Sequence, residues 1–366
     1  MAEIEQSGLT GRGGAGFPTV TKLYSVAKES RAAVVANGTE GEPASDKDKV
    51  LLACNPHLVL DGLAVAGRLV GARTTTIAVG CAATAAVSGV EAAIEERPSA
   101  ERPRLVLVPD RFVAGEESAL VSAVDGGAAE PTGRRPYRSG VLVQNVETLA
   151  HLALVARRGA EWFRQAGTQA EPGTALASVR GAVASPGVVE FALGATLGEL
   201  FERCGGLSEP VDAVLIGGYF GKWLRADAEL VLTEESLRAR GGALGARVIV
   251  ALPRASCGIV EVARVARYMA GESAGQCGPC VFGLSALADE LDALATGRLG
   301  ATAERIAKLE AQIARRGACA HPDGTLGFVT SGLELFSDEV ELHRRGTCSA
   351  TSHAHVLPAD GSKVIA

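Results

Sequence analysis

The sequence predicts an α/β protein: a layered α/β domain at the N-terminus, a small α+β module after it, and a four-helix bundle at the C-terminus. Three observations carry that reading. In the first part, short β-branched runs ("AAVVANG", "TTTIAVG", "RLVLVPD") alternate with alanine-rich amphipathic runs ("LVLDGLAVAGRLVGA", "VSGVEAAIEERPS"), the rhythm of strands inside and helices outside. The texture then changes to "ALASVRGAVASPGVVEFALGATLGELFERCGG", where two short strands flank the turn Ser185-Pro186-Gly187 and a helix begins near Thr196. From Ala255 onward helical periods dominate: Val260, Val262, Val265, Ala266 and Met269 form one stripe, and three further helical runs follow with glycine stops. Short connections favour an antiparallel bundle. The domain boundaries read from these shifts are 1–165, 172–253 and 255–348, with 349–366 as a tail.

Composition excludes several classes. A chain of 366 residues, 47% hydrophobic and 21% charged, buries a sizeable core without disulfides. Its net charge of −6 argues against a nucleic-acid binder. The opening "MAEIEQSGLTGRGG" carries acids where a secretory leader needs basic residues. The most apolar stretch, Thr76 to Ile94, is interrupted by Gly80, Gly89 and Glu91, so a buried strand leading into a helix fits better than membrane insertion. The expected location is the cytoplasm, where eight cysteines read as free thiols or metal ligands.

Four segments carry chemistry. "GRGGAGFPT" runs from Gly11 to Thr19, and Gly11, Arg12, Gly13, Gly14, Ala15 and Gly16 allow the main chain to approach a phosphate, with a helix expected just after Pro18. A glycine-rich turn without a ligand is the plain alternative. In "ANGTEGEPASDKDK", Asn37 ends a strand, and Glu40 and Glu42 follow in a loop held by Pro43. "VPDRFVAGEESALVSAVDGG" sets Phe112, Gly115, Glu116 and Glu117 between a strand and a helix, where the two glutamates by themselves read as helix-start carboxylates. "GVLVQNVETLAHL" carries Gln144, Asn145, Glu147 and Thr148.

"GESAGQCGPCVFG" spaces Cys277 and Cys280 like cluster or metal ligands, while Ala274 stands where a third sulfur would complete the pattern. Cys54, Cys81 and Cys204 lie in apolar contexts and read as small core residues.

Taken in order, these segments make the chain resemble the flavin-containing, NADH-oxidising subunit of respiratory complex I and of soluble NAD-linked hydrogenases and formate dehydrogenases. The resemblance covers nearly the whole chain. It implies an FMN site with the phosphate at Gly11–Gly16 and Lys22, Asn37, Asn145 and Thr148 near the flavin. It places Glu40, Glu42, Phe112, Gly115, Glu116 and Glu117 in segments lining the NADH site. It also implies a β-grasp module of the soluble-ligand-binding (SLBB) type, and a [4Fe–4S] cluster held in the bundle by Cys277, Cys280 and Cys319. Hydride transfer from nicotinamide to flavin asks for stacked rings rather than a side-chain acid or base, so no catalytic residue is assigned. Val20 and Thr39 replace a glycine and an aspartate of the family pattern.

With Ala274 in the motif, one iron needs another donor. His321, Ser273, a water or a small thiol are the local candidates. Cys257 and Cys348 each lie a helix length away, about 20 Å at 1.5 Å per residue, and an antiparallel bundle puts both at its far end. The expected function is an NADH dehydrogenase (diaphorase) subunit that passes electrons to a ferredoxin or an iron–sulfur partner subunit. The alternatives are a cluster-free NAD(P)H-dependent flavin or quinone reductase, and a non-catalytic binding or assembly protein with decayed sites.

Overall fold

The computed structural model describes residues 1–298 and 303–359. The chain divides into two compact units: residues 1–41, 45–177 and 190–195 form one, and residues 42–44, 178–189 and 196–366 the other.

The first unit contains α1 (Ala2–Ser7), α2 (Thr19–Val26), β1 (Ala33–Gly38), α3 (Lys47–Cys54), α4 (Pro56–Val70), β2 (Thr74–Gly80), α5 (Thr84–Glu95), β3 (Arg104–Val108), α6 (Glu117–Val124), β4 (Val141–Asn145), α7 (Val146–Arg158) and α8 (Ala160–Phe163). Its four strands are all parallel, in the order β3-β2-β1-β4. Helices cover both faces, so the strands read as nearly continuous apolar runs. Val34, Ala36, Ile77, Val79 and Leu142 join one core with Leu60, Leu63, Val90 and Leu149 of the helices. Val35, Ala78 and Val143, one residue out of step, join Leu120 and Val124 of α6 on the other face.

The next elements are β5 (Thr174–Gly181) and β6 (Gly187–Ala192), each divided between the two units, and then, in the second unit, α9 (Leu197–Arg203), β7 (Val211–Ile216), β8 (Lys222–Arg225), α10 (Glu234–Ala239) and β9 (Val248–Pro253). The sheet order is β6-β5-β9-β7-β8, with β7 antiparallel to β8 and β9 and β5 parallel to β9. α9 starts as the sequence indicates: Thr196 and Glu199 cap one another's backbone in a capping box.

The helical region follows: α11 (Gly258–Gly271), α12 (Ser285–Ala295), α13 (Ala303–Ile313), α14 (His321–Leu335) and α15 (Ser337–Arg344). The last run, expected as one helix, breaks at Phe336, whose ring packs 5.3 Å from that of Trp223. The run expected for α13 starts at Ala301, and its first two residues lie outside the described residues. Residues 349–359, expected as tail, lie back along α11: the main-chain N–H groups of Val356 and Leu357 donate to the buried Glu261 carboxylate at 3.1 and 2.9 Å. The rest of the tail, 360–366, falls outside the described residues. Among the described residues no single helix is long and apolar enough to cross a membrane.

Two cysteine expectations need correction. Cys204 is buried as expected, but Cys54 and Cys81 are exposed. Cys54 is the last residue of α3, and Cys81 sits just past the end of β2, where its thiol donates to Asp110 Oδ2 at 3.1 Å. In both cases the apolar run ends before the cysteine does.

Candidate functional site

In the parallel sheet, β2 and β3 lie on one side of β1 and β4 on the other, so the carboxyl ends of β1 and β4 bound the crevice where open α/β sheets gather ligands. Asn37 and Asn145 are register partners at that edge. The Asn37 amide donates to the Gly115 carbonyl at 3.0 Å, and its oxygen accepts from Thr39 N–H at 3.1 Å, which ties the loops after β1 and β3 together. Asn145 is the N-cap of α7: its Oδ1 accepts from Glu147 N–H at 3.0 Å while its Nδ2 donates to Asp48 Oδ2 at 2.7 Å.

The glycine loop is laid against this edge. Its base closes through Gly11 N–H to the Phe17 carbonyl at 2.8 Å and Thr19 N–H to the Leu9 carbonyl at 3.1 Å, and α2 begins straight after Pro18. Arg12 is fully buried; its main-chain N–H donates to Thr148 Oγ1 at 2.8 Å, and its guanidinium reaches Thr10 Oγ1 and the carbonyls of Thr174 and Pro172. The side chain therefore anchors the loop. At Gly13 a Cβ would stand 3.0 Å from Asn145 Cβ, and Gly14 and Gly16 take φ of 124° and 60°, so the loop's main chain comes close to the crevice at Asn145 and needs glycine to do so. That cradle at a switch point fits a nucleotide phosphate.

The acids sort differently. Glu40 turns inward and accepts from the N–H groups of Asp48 and Lys49 at 3.2 and 3.1 Å, satisfying the start of α3. Glu116 is the N-cap of α6, accepting from Ser118 and Ala119 N–H at 2.9 and 3.0 Å. Glu117 pairs with Lys22, which brings two expected site residues together. Phe112 and Gly115 bound a single 3₁₀ turn before Glu116. Glu42 belongs to the second unit, where it accepts from Tyr219 N–H at 2.9 Å.

A buried charge cluster beside Asn145 escaped the sequence reading. Lys47 Nζ lies 2.7 Å from Asp48 Oδ1 and 2.9 Å from Glu147 Oε2, and all three residues are buried. Burial pushes the Asp48 carboxyl up to about 6, with Lys47 opposing and Glu40 and Glu147 adding to the rise. The string "SDKDK" looks like solvated loop, and only the return of α7 over it reveals the burial.

In the second unit, Cys280 sits on a π-helical turn, Pro279–Leu284, between α11 and α12. Burial pushes its thiol up to about 12; the nearby Cys277 and Cys319 reinforce the rise, and a hydrogen bond from the Ser273 hydroxyl opposes it. Cys277 and Cys319 thus lie near enough to Cys280 to act on its charge, and three thiols are the donor type an iron–sulfur cluster takes, with one iron left to another group. His321 is buried at the start of α14 with its Nε2 2.8 Å from the Met269 carbonyl.

A nucleotide cradle on a parallel sheet, followed by a cysteine-bearing helical region, defines an FMN-dependent NADH oxidoreductase component. Residues 4–154 match the family model described as the Nuo51 FMN-binding domain, residues 176–218 the SLBB domain, and residues 261–343 the NADH-ubiquinone oxidoreductase-F iron–sulfur binding region. Among relatives, an NADH-quinone oxidoreductase subunit of Rhizobium meliloti (strain 1021) is 30% identical over 93% of this chain and 87% of its own. "NADP-reducing hydrogenase subunit HndC" of Solidesulfovibrio fructosivorans is 29% identical over 93% of this chain and 75% of its own. A solved NAD+-reducing [NiFe]-hydrogenase chain, in the H2-reduced state, superposes with a TM-score of 0.86 at 30% identity over 93% of this chain; the match spans 62% of that longer chain. The chain belongs to the family of NADH-oxidising flavin subunits found in complex I and the soluble hydrogenases.

Proposed function

We propose that this chain binds FMN in the crevice between β1 and β4, takes hydride there from NADH, and passes single electrons through a cluster on Cys277, Cys280 and Cys319. The observation that carries the reading is the glycine loop, held by buried Arg12 and brought against Asn145 at the sheet's switch point. Bound FMN would supply an acceptor for two electrons that releases them singly, and the cluster a one-electron carrier.

The chain's own part is positioning. Within the loop Gly11–Gly16 the N–H groups of Gly11 and Arg12 hold the loop, and those from Gly13 onward are offered to the phosphate, with Lys22, Asn37, Asn145 and Thr148 along the flavin. Glu40 and Glu116 act by fixing the starts of α3 and α6, which shapes the walls of the NADH site together with Phe112, Gly115 and Glu117. For the remaining iron the local donors are Ser273, whose hydroxyl acts on the Cys280 thiol, and His321, whose Nε2 is held by the Met269 carbonyl. Electrons leave to a ferredoxin or an iron–sulfur partner subunit, in the cytoplasm.

Anaerobic purification, reconstitution with FMN, iron and sulfide, and addition of NADH tests the proposal. Flavin bleaching followed by a cluster EPR signal is expected; a loaded protein whose flavin absorbance ignores NADH overturns it. Ala274 favours a second reading, a cluster-free NAD(P)H-dependent reductase, which requires bleaching with no iron retained.

A further inference from the structure

Two of the cysteines that the iron–sulfur reading leaves over, Cys257 and Cys348, meet at the opposite end of α11. Cys257 is the N-cap of that helix, its Sγ accepting from Val260 N–H at 3.5 Å. Fourteen residues of helix, about 21 Å at 1.5 Å per residue, separate this end from the segment leading to Cys277 and Cys280. Glu339 and His343 stand one turn apart on α15, and Cys348 follows that helix. Cys257 Sγ lies 3.2 Å from His343 Nε2 and 4.0 Å from Glu339 Oε1, and the last two atoms are 3.4 Å apart. The Cys348 thiol hydrogen-bonds both Cys257 and Glu339. One donor atom from each of the four residues lies within 4.8 Å of all the others.

The geometry points to a structural zinc site formed by Cys257, Glu339, His343 and Cys348, separate from the cluster cysteines. A tetrahedral zinc with bonds of about 2.0–2.3 Å holds its donors roughly 3.3–3.8 Å apart, so the group needs only a slight contraction. Two sulfurs and an imidazole select zinc over calcium or magnesium. Binding releases two thiol protons and leaves two thiolates, a carboxylate and a neutral imidazole around the ion. The surroundings hold the ligands in place: Ser349 donates its N–H and hydroxyl to the two Glu339 oxygens at 2.9 and 2.5 Å. The N–H groups of Thr351 and Ser352 both reach the Ala255 carbonyl, at 3.0 and 2.9 Å, so the chain after Cys348 runs beside the chain before Cys257. Cys257 and His343 are buried and Cys348 is exposed, which gives the ion a way in on the Cys348 side. Four protein donors close the coordination sphere, so the ion fastens α15 to the start of α11 and performs no chemistry. None of this depends on the flavin reading.

Cluster cysteines also take up zinc, so the test uses the full chain with Cys277, Cys280 and Cys319 all changed to Ser. Grown with zinc, this protein is expected to retain about one zinc per chain by elemental analysis. Adding Cys348→Ser or His343→Ala should lower that content at least about tenfold under a competing chelator, and Ser349→Ala should weaken retention less. Cobalt added to the zinc-free protein should give thiolate-to-metal absorption and the visible bands of a tetrahedral ion, both lost in the Cys348→Ser variant. Cys348 is exposed, so that variant folds even where His343→Ala does not. Three results overturn the site: no zinc and no cobalt bands in the triple variant, zinc indifferent to both ligand changes, or a Cys257–Cys348 disulfide by mass spectrometry in metal-free protein prepared under reducing conditions.

Discussion

Replacing Asn145 by Ala removes two interactions at once. The cap on Glu147 N–H at 3.0 Å is worth about 1 kcal/mol. The bond from Nδ2 to the buried Asp48 carboxylate at 2.7 Å leaves an acceptor unpaired when lost, about 1–3 kcal/mol more. Together they predict a loss of about 2–4 kcal/mol, which at about 2–4 °C per kcal/mol lowers the melting temperature by roughly 4–16 °C. Asn145→Asp separates the two parts, since it keeps the capping oxygen but sets a second carboxylate against Asp48. Two carboxylates at that distance share a proton, so their folded-state affinity for it rises above the unfolded value and stability is regained as pH falls. Melting curves of the FMN-free full chain, followed by circular dichroism between pH 5 and pH 8, read both effects. The Asp variant should lie far below wild type at pH 8 and close much of the gap by pH 5. An Ala variant melting within about 1 °C of wild type, or an Asp variant with the same deficit at both pH values, would refute the reasoning.

Other outcomes follow from the same geometry. Asp48 has a folded pKa of about 6 against 3.8 as its ordinary value, so the native state binds more protons between those values and stability falls as pH rises through that window. Asp48→Asn lacks the slope; chemical denaturation should show the wild-type advantage shrinking by up to about 3 kcal/mol from pH 4 to pH 7. Gly13→Ala places a methyl 3.0 Å from Asn145 Cβ and should weaken FMN binding about tenfold in a fluorescence titration, at a stability cost of about 1–3 kcal/mol. Cys280→Ser should reduce iron per chain after anaerobic reconstitution from about four to below about one, whereas Cys204→Ser, buried in the other part of the second unit, should leave it unchanged.

Much of the scaffold was legible because its signals are local. Thr196 three residues before Glu199 and Asn37 at the end of a β-branched run satisfy backbone groups within a few residues, Pro18 fixes its own φ just before Thr19, and each stands where the sequence puts it. The acids were less legible. A glutamate's spacing does not reveal whether it faces a ligand or a helix start, and Glu40 and Glu116 both face helix starts. The pairing of Lys47 and Asp48 with Glu147 was not legible because burial depends on α7, about a hundred residues further along the chain, returning over α3.

The order of motifs, by itself, determined the family and the layered α/β domain, since glycine freedom, strand periodicity and thiol spacing are properties of short segments. Only the tertiary structure decided which carboxylates are consumed by the backbone, which cysteines reach solvent, and that Glu339 and His343 join Cys257 and Cys348, ninety-one positions apart and expected at one end of the bundle. Proximity between distant residues comes from how helices pack, and packing is a property of the whole core rather than of any stretch within it.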